Sequence, residues 1–217
     1  MLSTSGVLMI LFMSVTSGMP VVELTYSELS SQVNSGKIAV RISEALSSSG
    51  IMAVTKMPQE YNEAVGNLKR LAPSCIEAYQ QFQLPDGSQR QTFALSSEQP
   101  EMYPECIRDA SEVIAKHFDD VETLMESVIT SLAGKDNMWW ITNEGELGNF
   151  SSKGYKEHIH VYRARGENGD GKGYAAPFHT DNGLMLMITP FKEHPLIAKN
   201  RDGESIELNQ VKEKFEW

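Results

Sequence analysis

Between residues 107 and 132 the side chains of Ile107, Ala110, Val113, Ile114, Phe118, Val121, Leu124, Met125, Val128, Ile129 and Leu132 return at spacings of three and four. A helix of 3.6 residues per turn places such positions on one apolar stripe, which must be buried against another layer. The spacing predicts one long amphipathic helix, closed by Gly134. His117 lies beside the stripe and reads as a packed core residue rather than a ligand. Beyond Trp139-Trp140 the period changes to two. His158-Ile159-His160-Val161-Tyr162-Arg163 alternates polar and apolar, and Leu184 to Thr189 reads as a second strand. The Gly-rich loop from Glu167 to Gly173 joins them, which predicts sheet neighbours. That loop lacks the ligand spacing and closing glutamate of an EF-hand.

The first half reads as mostly helical. Lys37 to Ser49 forms a short helix with Gly50 as its stop, and Ile51-Met52-Ala53-Val54 follows as a buried strand. Pro58 opens another helix toward Leu71, with Pro73 expected to end it. The expected class is α+β.

Residues 1–18 differ from the rest. Val7 to Met13 is an apolar run followed by small residues up to Gly18, the layout of a signal peptide cleaved near that glycine, although its start carries no Lys or Arg. The run is too short to span a bilayer, so no transmembrane segment is expected in the mature chain. With a signal, the protein enters the secretory pathway; without one, it is cytoplasmic. In the secretory case Cys75 and Cys106 can pair and Asn149-Phe150-Ser151 becomes a usable sequon; otherwise the two cysteines are buried thiols. The 217 residues, 41% hydrophobic and 22% charged, are globular in composition, and a net charge of −10 without a basic stripe argues against nucleic acid as a partner.

The chemistry concentrates at His179-Thr180-Asp181. In a strand, residues i and i+2 share a face roughly 6–7 Å apart, so an imidazole and a carboxylate can meet one ion. Completed by another histidine, such a pair is the facial triad of non-haem Fe(II) oxygenases. His158 and His160 also share a strand face. If their strand neighbours the His179/Asp181 strand, H-x-H plus H-x-D can close a four-ligand site for zinc or another divalent metal. A non-catalytic remnant is the third reading. His194, before Pro195, reads as a turn residue and a poor ligand.

Tyr162, the Gly-rich loop, and the run Pro177-Phe178-His179-Thr180-Asp181-Asn182-Gly183 continuing to Thr189 together resemble the core of the isopenicillin N synthase-like 2-oxoglutarate/Fe(II) dioxygenases. Val21 to Leu24, the helix to Leu46, the strand Gly50 to Val54 and the long helix resemble that family's N-terminal region. The resemblance implies N-terminal helices packed on a double-stranded β-helix, or jelly-roll, core: residues 19–135 form the helical region with the first strand, and residues 136–217 begin the jelly roll. It makes His179 and Asp181 two of three iron ligands and Tyr162 a holder of 2-oxoglutarate. Fe(II), 2-oxoglutarate, dioxygen and a small organic substrate are the implied partners of an oxidoreductase. The sequence departs from the family at His160, where an asparagine is often found, and at Thr55-Lys56-Met57, where Asn-His-Gly is usual. A distal histidine and the Arg-x-Ser beyond it are not found in these residues, so the jelly roll is expected to be truncated and the chain a fragment. Leu196 to Ala198 and Ser205 to Leu208, around the turn Asn200 to Gly203, resemble the next hairpin.

Overall fold

The two periods appear as four helices and nine strands in a computed structural model that describes residues 8–12, 21–31, 37–47, 50–76, 81–84, 87–96, 103–133, 156–163, 185–189, 197–199 and 205–207. In chain order these are β1 (Leu8–Phe12), β2 (Val22–Thr25), α1 (Tyr26–Ser31), α2 (Lys37–Ser47), β3 (Ile51–Thr55), α3 (Gln59–Cys75) and β4 (Gln81–Gln83). They continue as β5 (Gln89–Ser96), α4 (Arg108–Ala133), β6 (Lys156–Arg163), β7 (Met185–Ile188), β8 (Ile197–Lys199) and β9 (Ser205–Glu207). The α+β character matches expectation. The described strands form sheets of four, three and two strands and do not close into a barrel. The chain divides into two units, one of residues 1–62, 117–152 and 181–217, the other of residues 63–116 and 153–180.

The first unit holds the sheet β2-β3-β1-β7. β2 and β3 run parallel, with Leu24 opposite Val54, and the two helices between them supply the crossover such a pair requires. All five residues of β3 are buried, as the unbroken run Ile51 to Val54 demands. Leu24, Leu29, Ile38, Ile42 and Ala45 are buried with them. Thr25 and Glu28 make a reciprocal cap at the start of α1: the Glu28 amide donates to Thr25 Oγ1 (3.1 Å) and the Thr25 amide to Glu28 Oε2 (2.8 Å). Gly50 stops α2 as expected, at φ 67° and donating its amide to the Ala45 carbonyl at 2.8 Å. Lys56, directly after β3, takes the same left-handed region at φ 52°, where a glycine costs less.

His117 is buried as expected, only 2% exposed. Its ring lies between those of Tyr26 and Tyr61, at centroid distances of 5.8 and 5.6 Å, and its Nε2 is 3.2 Å from Glu60 Oε1. The Tyr61 hydroxyl shares a 2.5 Å hydrogen bond with Thr189 Oγ1, while the Tyr26 hydroxyl donates to Asp120 Oδ2 at 3.2 Å. Burial, followed by the charge of Asp120, pushes the Tyr26 phenol up to about 12, and burial raises the Tyr61 phenol too.

The second unit holds the sheet β4-β5-β6, antiparallel throughout. Phe93 and Ile159 from its inner face pack with Ala72, Ile76, Tyr103 and Ile107. A disulfide joins Cys75, the last residue of α3, to Cys106, just before α4, with Cα atoms 6.1 Å apart. This settles the open choice between a bond and two thiols.

Two expectations are corrected. Pro73 does not end its helix: α3 runs on to Cys75, where the disulfide anchors the final turn and Arg163 Nη2 donates to the Pro73 carbonyl at 2.9 Å. The strands around the Gly-rich loop are not sheet neighbours. β6 pairs along its whole length with β5, while β7 pairs with β1. The apolar segment read as part of a signal peptide contributes β1, antiparallel to β3 and to β7. β8 and β9 pair antiparallel, with Ala198 opposite Ile206.

The Cys75–Cys106 bond spans a sequence separation of 31 residues. Replacing both cysteines by serine should lower unfolding free energy by about 2–4 kcal/mol, and each single replacement by a similar amount, because either one opens the same loop. Urea denaturation of the three variants checks this.

Candidate functional site

The strand order of the second unit separates two chemically different faces. Along β6, Ile159 and Val161 lie with the apolar core, so His158, His160 and Tyr162 point the other way. Along β5, Gln91 and Phe93 are buried, which turns Arg90, Thr92 and Ala94 outward. The register sets Ala94 opposite His158, Thr92 opposite His160 and Arg90 opposite Tyr162, and β4 places Phe82 opposite Arg90. The buried Gln91 fixes the inner side: its Oε1 accepts from Arg163 Nε at 3.1 Å.

On the open face the rings form a row, His158 to His160 at 5.5 Å and His160 to Tyr162 at 6.2 Å between centroids. His160 Nδ1 lies 2.9 Å from Thr92 Oγ1. Either atom can donate, and the choice determines the other ring nitrogen. If the threonine hydroxyl donates, Nε2 carries hydrogen and is itself a donor; if Nδ1 donates, Nε2 presents a lone pair. The Arg90 guanidinium stands 5.3 Å from the centre of the Phe82 ring, and its Nε is buried without a hydrogen-bond partner among the described residues. Crowding around the ring, then the positive charge of Arg90, then His158, lowers the His160 pKa to about 4.

Of the residues expected in the site, Tyr162 is half-buried on this open face. His179 and Asp181 lie outside the described residues, as does His194. His158 and His160 share a face, as the four-ligand alternative requires. However, β7, which the chain enters after Asp181, does not pair with β6, so it does not provide the neighbouring register that this alternative also needs. Among the described residues no three His, Cys, Asp or Glu side chains gather where a metal could be held. No described helix is long and apolar enough to cross a membrane.

Arg90, Thr92 and Phe82 were not anticipated. The signal was partial: Gln89 to Ser96 sets four polar residues before Phe93-Ala94-Leu95 and shows no period of two, although Pro85-Asp86-Gly87 ahead of it is a turn sequence. Gly87 has φ 81° and donates its amide to the Leu84 carbonyl at 2.9 Å.

Comparisons with protein-family models, with curated proteins and with solved structures find no match. The candidate site therefore rests on its own chemistry.

A histidine whose folded pKa is depressed binds its proton first in the unfolded chain. Between the ordinary value near 6.5 and about 4, the unfolded state holds more protons, so stability falls as pH drops through that window. NMR titration should find the His160 ring neutral at pH 5.5, and His160→Gln should flatten the stability slope below pH 6.5. A ring that protonates near 6.5 contradicts the environment described here.

Proposed function

We propose that this chain belongs to a non-haem Fe(II)- and 2-oxoglutarate-dependent oxidoreductase acting on a small organic substrate, with His179 and Asp181 as iron ligands and Tyr162 at the 2-oxoglutarate site. The observation that carries the reading is the position of Tyr162. It stands with His160 on the face of β6 turned away from the apolar core, where a polar co-substrate can be met by hydrogen-bond donors. Bound iron would supply activation of dioxygen toward an organic substrate; the protein's share is binding, orientation and exclusion of water. The jelly-roll core remains part of this proposal.

The second reading, a divalent-metal module of His158, His160, His179 and Asp181, is favoured by the 5.5 Å approach of the first two rings. The nearby Arg90 charge weighs against it, because a cation beside a histidine opposes a second cation there. Anaerobic Fe(II) titration separates the two. Asp181→Ala should remove binding, while the double replacement of His158 and His160 by alanine, like His117→Ala and His194→Ala, leaves it nearly intact. Loss in both Asp181→Ala and the double variant, with His117→Ala and His194→Ala intact, favours the module; equal loss in every variant reflects damage to the fold and sinks the ligand assignment.

Entry into the secretory pathway is supported by the Cys75–Cys106 bond, since such bonds persist in oxidising compartments. It is opposed by the pairing of β1 with β3 and β7, which cleavage near Gly18 would remove. Mass mapping of the mature N-terminus decides: a start near Met19 supports a cleaved signal, and a retained Leu8–Phe12 segment ends that reading.

A further inference from the structure

The open face of the second unit's sheet contains a cation whose donors are not all used. An arginine donor buried without a partner costs free energy unless a ligand or water completes it. Arg90 Nε is such a donor, and the guanidinium beside it is steered by the Phe82 ring at 5.3 Å. The sheet register brings three further hydrogen-bonding groups to the same face: Thr92 beside Arg90 on β5, with His160 and Tyr162 across from them. The hydroxyl of Thr92 and Nδ1 of His160 are already in contact at 2.9 Å, which fixes the ring. A planar guanidinium can grip a carboxylate with two parallel hydrogen bonds, and the aromatic rings around it suit an apolar body attached to that carboxylate.

We propose that this face is a binding site for a small organic carboxylate, held by the Arg90 guanidinium and bordered by Phe82, Thr92, His160 and Tyr162. The net charge of −10 on the chain selects among anions, because a phosphate dianion meets about twice the repulsion that a carboxylate monoanion does. The site shares Tyr162 with the oxygenase reading but is argued from Arg90 and the sheet register, and it needs no metal. Loss of carboxylate binding on changing Arg90 and loss of Fe(II) binding on changing Asp181 are therefore separate results.

The test is isothermal titration of the full chain with benzoate, its neutral counterpart benzamide and inorganic phosphate. Benzoate should bind, with benzamide and phosphate much weaker, and Arg90→Gln should weaken benzoate by roughly tenfold or more. Arg90→Lys keeps the charge without the two-pronged geometry and should lie between, which leaves a readout should the glutamine variant not fold. Thr92→Val should weaken benzoate by a smaller factor. Repeating the titration with 2-oxoglutarate present identifies the source: competition assigns the face to the co-substrate, and simultaneous binding assigns it to a separate substrate. Both outcomes retain a carboxylate site. Equal affinity for benzamide, preference for phosphate, absence of benzoate binding, or an unchanged benzoate affinity in both Arg90 variants overturns it.

Discussion

A shift of one residue in the pairing of β5 with β6 would move Ile159 out of the core and His160 into it. That alternation is the constraint on which the candidate site depends. On the inner face the buried pair Phe93 and Ile159 holds the register by apolar packing, and the Gln91–Arg163 hydrogen bond holds it on that same face by a polar contact. Because Arg163 also reaches the Pro73 carbonyl, the same side chain ties the strand to the last turn of α3. The row of His158, His160 and Tyr162 faces outward as the other half of this arrangement, so a fault in the core would be felt as a rotated site.

Charge discriminates between the chemistries that this outward face can support. Two histidines two residues apart in a strand suggest a metal, and their 5.5 Å approach is compatible with one. Arg90 changes the balance, since its positive charge disfavours both protonation of His160 and the arrival of another cation. Thr92 also occupies one imidazole nitrogen. An anion meets neither obstacle. This is why the face is assigned to a carboxylate, while metal binding is proposed for the separate pair His179 and Asp181.

Much of the fold was legible where local signals agree with tertiary packing. The stripe from Ile107 to Leu132 became α4, Gly50 stopped α2, and Ile51 to Val54 was buried throughout. The failures have a shared origin in distant partners. Pro73 is a helix stop when read alone, but the Cys75–Cys106 bond and Arg163 hold the helix past it. The Gly-rich loop suggested a hairpin, yet β6 found its partner in β5, across the whole of α4 in sequence. Half of the candidate site was visible as His158, His160 and Tyr162. Arg90, Thr92 and Phe82 could be added only once the register was known, because alternation along one strand does not name its neighbour.

The position of β1 between β3 and β7 bears on how the chain is made. Met9 pairs with Ala53 on one side and with Ile188 on the other, so the first contact is available early in synthesis and the second only when most of the chain has been translated. At ordinary elongation rates the interval is roughly 7–27 s. Throughout it, one side of an apolar strand presents unpaired amides and carbonyls, a template that a neighbouring nascent chain can also use. Yield from a cell is thus tied to polysome density and to chaperones that cover the waiting edge, quantities on which the finished fold has no further influence.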